Sequence, residues 1–389
     1  MVPSPHADRG PALLRPQGLQ RLLEILVEDG LRVLGPVVRD GAIVYDELRS
    51  LQDLPAGWTD RQGPAGYALE RRDDDALFGY AVGPDSCKRF LHPPRQALWS
   101  MRRADDGTLS LEPPAAEDSR ALAFIGMRAC ELRALAVHDR ILRDGDLADT
   151  HYAARRQGCF IVAVHCNDPA DTCFCASLHE DGPRATEGFD LALSELVGEG
   201  RPEHVFVVEA GTPRGIAMLA RLPVEPAGEA HLLAARERAR RAAQGMRRHM
   251  PVQGLKRALQ GQPTHPHWEQ VAERCLGCAN CTMVCPTCFC TTVQDHGDLS
   301  GSLASRERLW DSCFTLDFSY VHGGSVRTTA ASRYRQWMTH KLAHWHDEFG
   351  GSGCVGCGRC ISWCPAGIDI TQEAAALHAA LPRQGGDDA

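Results

Sequence analysis

The sequence has little that would carry it through a membrane or onto a polyanion. Its longest apolar stretches, ALAFIGM and FIVAV, are far shorter than a bilayer-spanning helix requires. The opening stretch MVPSPHADRGPALLRP has no apolar core of signal-peptide length, so a cytoplasmic protein is expected. Lys+Arg number 42 against Asp+Glu 50, a formal net charge of −8, with no global pull toward nucleic acid. Aromatic residues make up only 6%. There is no Walker A loop, no G-x-S-x-G elbow, no H-E-x-x-H helix and no paired acid and base. Nothing marks a site that transforms a substrate, and the chain reads as non-catalytic.

What the 389 residues do have is cysteine, 17 in all. The number is odd, so complete internal pairing is impossible. In a reducing cytosol such thiols serve as ligands, reactive groups or core residues rather than disulfides. Six precede residue 261 and eleven follow it. That shift sets the expected boundary, with an α/β domain at 1–260 and a second domain at 261–389. The join falls near GQPTHPHW, where two prolines break a preceding helix.

In the first domain, Gly18 to Gly30 is amphipathic and stops at a glycine, as a helix does. Arg32 to Tyr45 reads as a turn-linked pair of strands. Ala121 to Gly126, Cys159 to His165 and His204 to Glu209 read as strands, and Glu131 to Arg143 and Glu229 to His249 as helices. This alternation predicts a mostly parallel sheet in an α/β or α+β arrangement. In the second domain, Trp268 to Glu273, Ser332 to His346 and Thr371 to Leu381 read as helices, with residues 382–389 frayed.

Cys275, Cys278, Cys281 and Cys285 form C-x2-C-x2-C-x3-C closed by Pro286. Cys354, Cys357, Cys360 and Cys364 repeat the pattern, closed by Pro365. This is the spacing of two-cluster ferredoxins, in which three cysteines of a run wrap one [4Fe–4S] cube and the fourth ligates the other. It predicts cluster one on Cys275, Cys278, Cys281 and Cys364. Cluster two falls to Cys285, Cys354, Cys357 and Cys360. Gly277, Gly356 and Gly358 allow the backbone to approach the sulfurs closely. Residues 286–353 separate the runs and read as helical, so an α-helical ferredoxin domain is expected. Structural zinc has no need of four cysteines in each run. GSGCVG (Gly351 to Gly356) matches a dinucleotide fingerprint only formally, because it lies inside a cysteine run.

Cys130 and Cys166 each follow an expected strand, and Cys173 and Cys175 lie in the next loop. Parallel strands would bring all four to one carboxyl edge, where α/β folds place ligands. A third [4Fe–4S] cluster is expected there, with zinc or unrelated thiols as the other readings. Cys87 and Cys159 stand alone and read as small buried hydrophobes. Cys288, Cys290 and Cys313 are one cysteine short of a further cluster. They would need a non-cysteine ligand such as Asp295, His296 or Asp311; otherwise they pack around cluster two. Arg155 and Arg156 read as a solvated basic face, or as contacts for a phosphate or a partner carboxylate. Arg327 to His346, rich in Arg, His and Trp, reads as an amphipathic helix or as cover for a cluster.

GMRACELRAL (126–135), HYAARRQG (151–158), HCNDPADTCFC (165–175), CLGCANCTMVCPTCFCTTVQD (275–295), RERLWDSC (306–313) and CVGCGRCISWCP (354–365) together resemble one family. It is the β subunit of soluble, NAD(P)-linked [NiFe] hydrogenases, the sulfhydrogenases. The A subunit of anaerobic sulfite reductase is a close relative. Residues 1–120 carry little of the likeness. The resemblance implies an iron–sulfur electron-transfer subunit that relays electrons between a flavin and NAD(P)H-binding subunit and the hydrogenase small and large subunits, in a heterotetramer. A sulfite reductase subunit feeding a siroheme partner is the alternative of the same class. A zinc-stabilised or redox-sensing scaffold is the alternative of another.

Overall fold

The computed structural model describes residues 10–81, 83–112, 118–198 and 203–380. The tail expected to fray lies outside them. The first half is built on an eight-stranded sheet. Its order is Val224–Pro226, Ala12–Leu14, Val205–Ala210, Leu191–Leu196, Phe160–Val164, Leu122–Met127, Arg32–Arg39 and Ala42–Glu47. LAFIGM and FIVAV are buried on both faces, as central parallel strands must be. Four neighbouring strands, 32–39, 122–127, 160–164 and 191–196, run parallel.

The sheet is nevertheless mixed, not mostly parallel. Ala42–Glu47 folds back on Arg32–Arg39 through a two-residue turn at Asp40 and Gly41, both with positive φ. At the other edge Val205–Ala210, Ala12–Leu14 and Val224–Pro226 all pair antiparallel. The Pro16–Glu28 helix lays Leu19, Leu22, Leu23, Ile25 and Leu26 on one face of this sheet. The helix expected over Glu229 to His249 ends at Gln244, before Gly245.

The second half packs Trp268, Val271, Phe314, Tyr334, Trp337, Met338, Leu342 and Leu377 into an apolar core of its own. Met250, Leu255 and Leu259 belong to that core, so packing crosses the 260/261 boundary expected from cysteine usage. The segment between the cysteine runs is not simply helical. Thr291–Gly297 and Leu303–Trp310 form a hairpin whose second strand pairs with Arg95–Arg103, completing a four-stranded antiparallel sheet with Leu109–Glu112. The expected 332–346 helix is α-helical over Ala330–Thr339, widens to a π-turn at His340–His344 and resumes over Trp345–Phe349. Among the described residues, no helix is long and apolar enough to cross a membrane.

Candidate iron–sulfur sites

The two cysteine runs fold alike. Gly277 and Gly356 have φ of +62° and +69°, and the residues two further on, Ala279 and Gly358, have +65° and +73°. Each run then enters a one-turn helix, Asn280–Met283 or Arg359–Ser362. The amides of Gly277 and Gly356 hydrogen-bond toward the sulfurs of Cys275 and Cys354. A left-handed alanine costs roughly 1–2 kcal/mol, so Ala279 holds strain beside its sulfurs. Glycine in the second run has a further cause. A Cβ on Gly358 would lie 2.2 Å from the Thr172 carbonyl oxygen, and one on Gly356 would lie 2.5 Å from Cys175 Cα. The second run is therefore pressed against the Thr172–Cys175 loop of the first half. The contact is fastened by Phe174 N–H donating to the Gly356 carbonyl at 2.9 Å and by Thr172 and Ser362 hydroxyls 2.9 Å apart.

Arg359, inside the second run, completes this docking. It is fully buried, donates to the carbonyls of Gly83 (2.7 Å) and Asp85 (2.8 Å), and pairs at 2.5 Å with Glu131, also fully buried. Glu131 in turn accepts from the Cys87 amide at 3.1 Å. Removing one partner of a buried pair costs about 3–5 kcal/mol, because the other charge stays buried. Glu131→Ala is therefore expected to lower the unfolding temperature of the intact protein markedly, as read by circular dichroism. A transition unchanged from wild type would contradict the pairing.

All seventeen cysteines are free thiols. Cys275, Cys278, Cys281 and Cys364 line one pocket, walled by Leu276, Phe314, Tyr334, Trp337 and Ile368. This is the set expected for cluster one, and Cys360 borders it as well. The Ile368 amide donates to Cys364 Sγ at 3.4 Å. Cys130, Cys166, Cys173 and Cys175 line a second pocket, the set expected for the third cluster. Cys166 follows the 160–164 strand. Cys130 opens the helix after its parallel neighbour 122–127, where an irregularity at Gly126 (φ +79°) redirects the chain. Cys357 borders this pocket too.

Of the set expected for cluster two, Cys360 borders the first pocket and Cys357 the second, and Cys285 and Cys354 line neither. Burial pushes the Cys354 thiol up to about 12, with Cys357 and Cys285 adding to the rise. Burial also drives up Cys360, reinforced by Cys354, Cys357 and Cys285. Cys285 is held well below the usual thiol range, first by the Cys288 thiol hydrogen-bonding to it and then by the Lys341 ammonium. In the third site burial dominates. It pushes Cys175 up to about 12 and Cys130 and Cys173 well above the usual range, and it raises Cys166 as well, against the opposing pull of buried Arg128. Thiols gathered in apolar surroundings, without disulfides, suit a group that displaces their protons. Among the described residues, no three His, Cys, Asp or Glu side chains close on a point as they would around a single metal ion. The donor chemistry of the two pockets, thiols alone with apolar walls, fits an iron–sulfur cube.

Cys288 backs Cys285, and Cys313 faces Cys290 and Cys281, burial with Cys290 pushing Cys313 up to about 12. Of the suggested extra ligands, Asp295 is exposed and tied to Arg306, His296 is exposed and lies 3.6 Å from Glu307, and only Asp311 stands near Cys290. Cys159 donates to the Arg155 carbonyl at 3.2 Å and Cys87 is buried, in keeping with core roles. Arg156 is drawn inward to Asp139 at 3.1 Å and does not form a solvated face. Two buried cations were not legible in the sequence: Lys88, which donates to the Cys285 carbonyl, and Lys341, which donates to Cys285 Sγ.

This geometry defines an iron–sulfur protein with a dicluster module, and the family model for a 4Fe-4S dicluster domain matches residues 274–368. The sulfhydrogenase 2 subunit beta of Pyrococcus furiosus is 29% identical over 341 residues, covering 87% of this chain and 90% of that protein. The chain is thus similar to a hydrogenase β subunit along most of its length. No solved structure matches it.

Proposed function

We propose that this chain is the electron-transfer subunit of a cytoplasmic sulfhydrogenase-type complex. It would carry electrons between a flavin subunit that exchanges hydride with NAD(P)H and the small and large subunits of a [NiFe] hydrogenase. A [4Fe–4S] cluster supplies reversible one-electron uptake when bound. The observation that carries the reading is that neighbouring sets share residues: Cys360, expected in cluster two, also borders the first pocket, and Cys357, expected in cluster two, also borders the second. Cys278 of the first set is exposed, beside exposed Leu276. The protein's part is to ligate, to keep water from the second and third sets, and to bring the first to the surface.

The test is the complex isolated without oxygen. With Cys357→Ala, hydrogen formation driven by NADPH or NADH is expected to fall to background, while hydrogen formation driven by a reduced dye directly at the nickel–iron module is retained. Nicotinamide-driven activity equal to wild type in a variant shown to have lost iron would overturn the proposal.

A further inference from the structure

Two lysines are among the most buried charged residues described, and both end at Cys285. Lys341 is 7% exposed and Lys88 4%. Lys341 Nζ donates to Thr287 Oγ1 at 2.8 Å, to the Gly353 carbonyl at 3.2 Å and to Cys285 Sγ at 3.4 Å. Lys88 Nζ donates to the carbonyls of Cys285 (3.0 Å) and Cys288 (3.1 Å) and lies 3.8 Å over the Trp310 ring. Neither has an ion pair with a carboxylate among the described residues. Lys341 is carried on the π-turn His340–His344, a widening of the helix that is frequent at functional sites. Burying an ammonium among neutral groups is expensive unless a negative charge answers it. Among the described residues the groups that can supply that charge are sulfurs: Cys285, Cys288 and Cys354 beside Lys341, and Cys288 and Cys285 beside Lys88.

We propose that Lys341, backed by Lys88, sets the reduction potential of the cluster held by Cys285, Cys354, Cys357 and Cys360. The two cations would raise it above that of the cluster held by Cys275, Cys278, Cys281 and Cys364. This rests on the electron-transfer reading. Reduction adds one electron from a neighbouring donor, breaks no bond and leaves one more negative charge in a poorly polarisable surrounding. A cation within hydrogen-bond reach of a ligand sulfur favours that more negative state, and N–H···S bonds act in the same direction. The cluster-one pocket offers less. Its walls are aliphatic and aromatic, nearby Arg274 is neutralised by Glu373 at 2.6 Å, and Arg333, which acts on Cys275, is only partly buried, so its charge is better screened than that of the buried lysines. With the lysines in place, passage from the exposed Cys278 end toward the interior runs downhill.

The experiment is a potentiometric titration of the full-length chain under anaerobic conditions, followed by EPR, with iron counted in each sample. The signal that Cys354→Ala removes belongs to the second set. In Lys341→Met that signal is expected to titrate at lower potential while the others stay in place, and Lys341→Arg is expected to restore most of the shift. Unchanged midpoints in an iron-replete Lys341→Met would overturn the proposal. Should Lys341→Met lose iron, Lys88→Met decides. Its ammonium touches carbonyls and no sulfur, so a smaller shift in the same direction supports the proposal and no shift overturns it. A wild-type chain without iron would instead defeat the electron-transfer reading itself.

Discussion

Gly358→Ala is expected to cost the protein at least the third cluster, taking iron from about twelve per chain to about eight or fewer. The added Cβ would sit 2.2 Å from the Thr172 carbonyl oxygen and 2.4 Å from its carbon. Those atoms are backbone, so no side-chain rotation relieves the overlap. The second cysteine run must then withdraw from the loop bearing Cys173 and Cys175, breaking the Phe174–Gly356 and Thr172–Ser362 contacts. The chain contains its own control. Ala279 occupies the equivalent place in the first run with nearly the same φ, so an alanine is compatible with the ligand-loop conformation itself. The loss therefore comes from the neighbour and not from the left-handed backbone. Iron and sulfide assays on the purified variant check this, and a wild-type iron content would show that the two halves do not meet as described.

Cys173→Ala is expected to remove one cluster's worth of iron, about four per chain, while leaving the C-terminal module intact. Cys173 is buried in the second pocket with Cys130, Cys166 and Cys175, and it takes no part in the core of the helical module. Cys159→Ala is the matched comparison. That thiol is also buried, but its neighbours are the Arg155 carbonyl and apolar side chains, so iron should stay at the wild-type level. Equal iron in both variants would remove the case for a third cluster and leave a buried group of thiols there.

Much of the site was legible because ligand spacing and strand ends are local features. The repeated C-x2-C-x2-C-x3-C-P runs carry their geometry within twelve residues, and the structure gives both the same backbone turns. The apolar runs 122–127 and 160–164 announced parallel central strands, and Cys130 and Cys166 follow from where those strands stop. The hairpin at 291–310 was not legible. Its first strand, TTVQDHG, is exposed along most of its length, and the pairing that completes its sheet comes from Arg95–Arg103, remote in sequence. The Ala12–Leu14 strand was missed for a similar reason: three residues show no period, and they become a strand by inserting between two others. The lysines were missed because a lysine in a sequence reads as surface. Only the three-dimensional arrangement shows that Lys88 and Lys341 point at Cys285. The sharing of Cys357 and Cys360 between adjoining sites is likewise a property of packing and not of spacing.

Elemental analysis of the full-length chain, purified without oxygen, tests the central claim most directly. Three cubes predict about twelve irons and about twelve acid-labile sulfides per chain. Zinc near stoichiometry with little iron would contradict it, because thiolates holding single zinc ions would give a rigid scaffold unable to take up electrons.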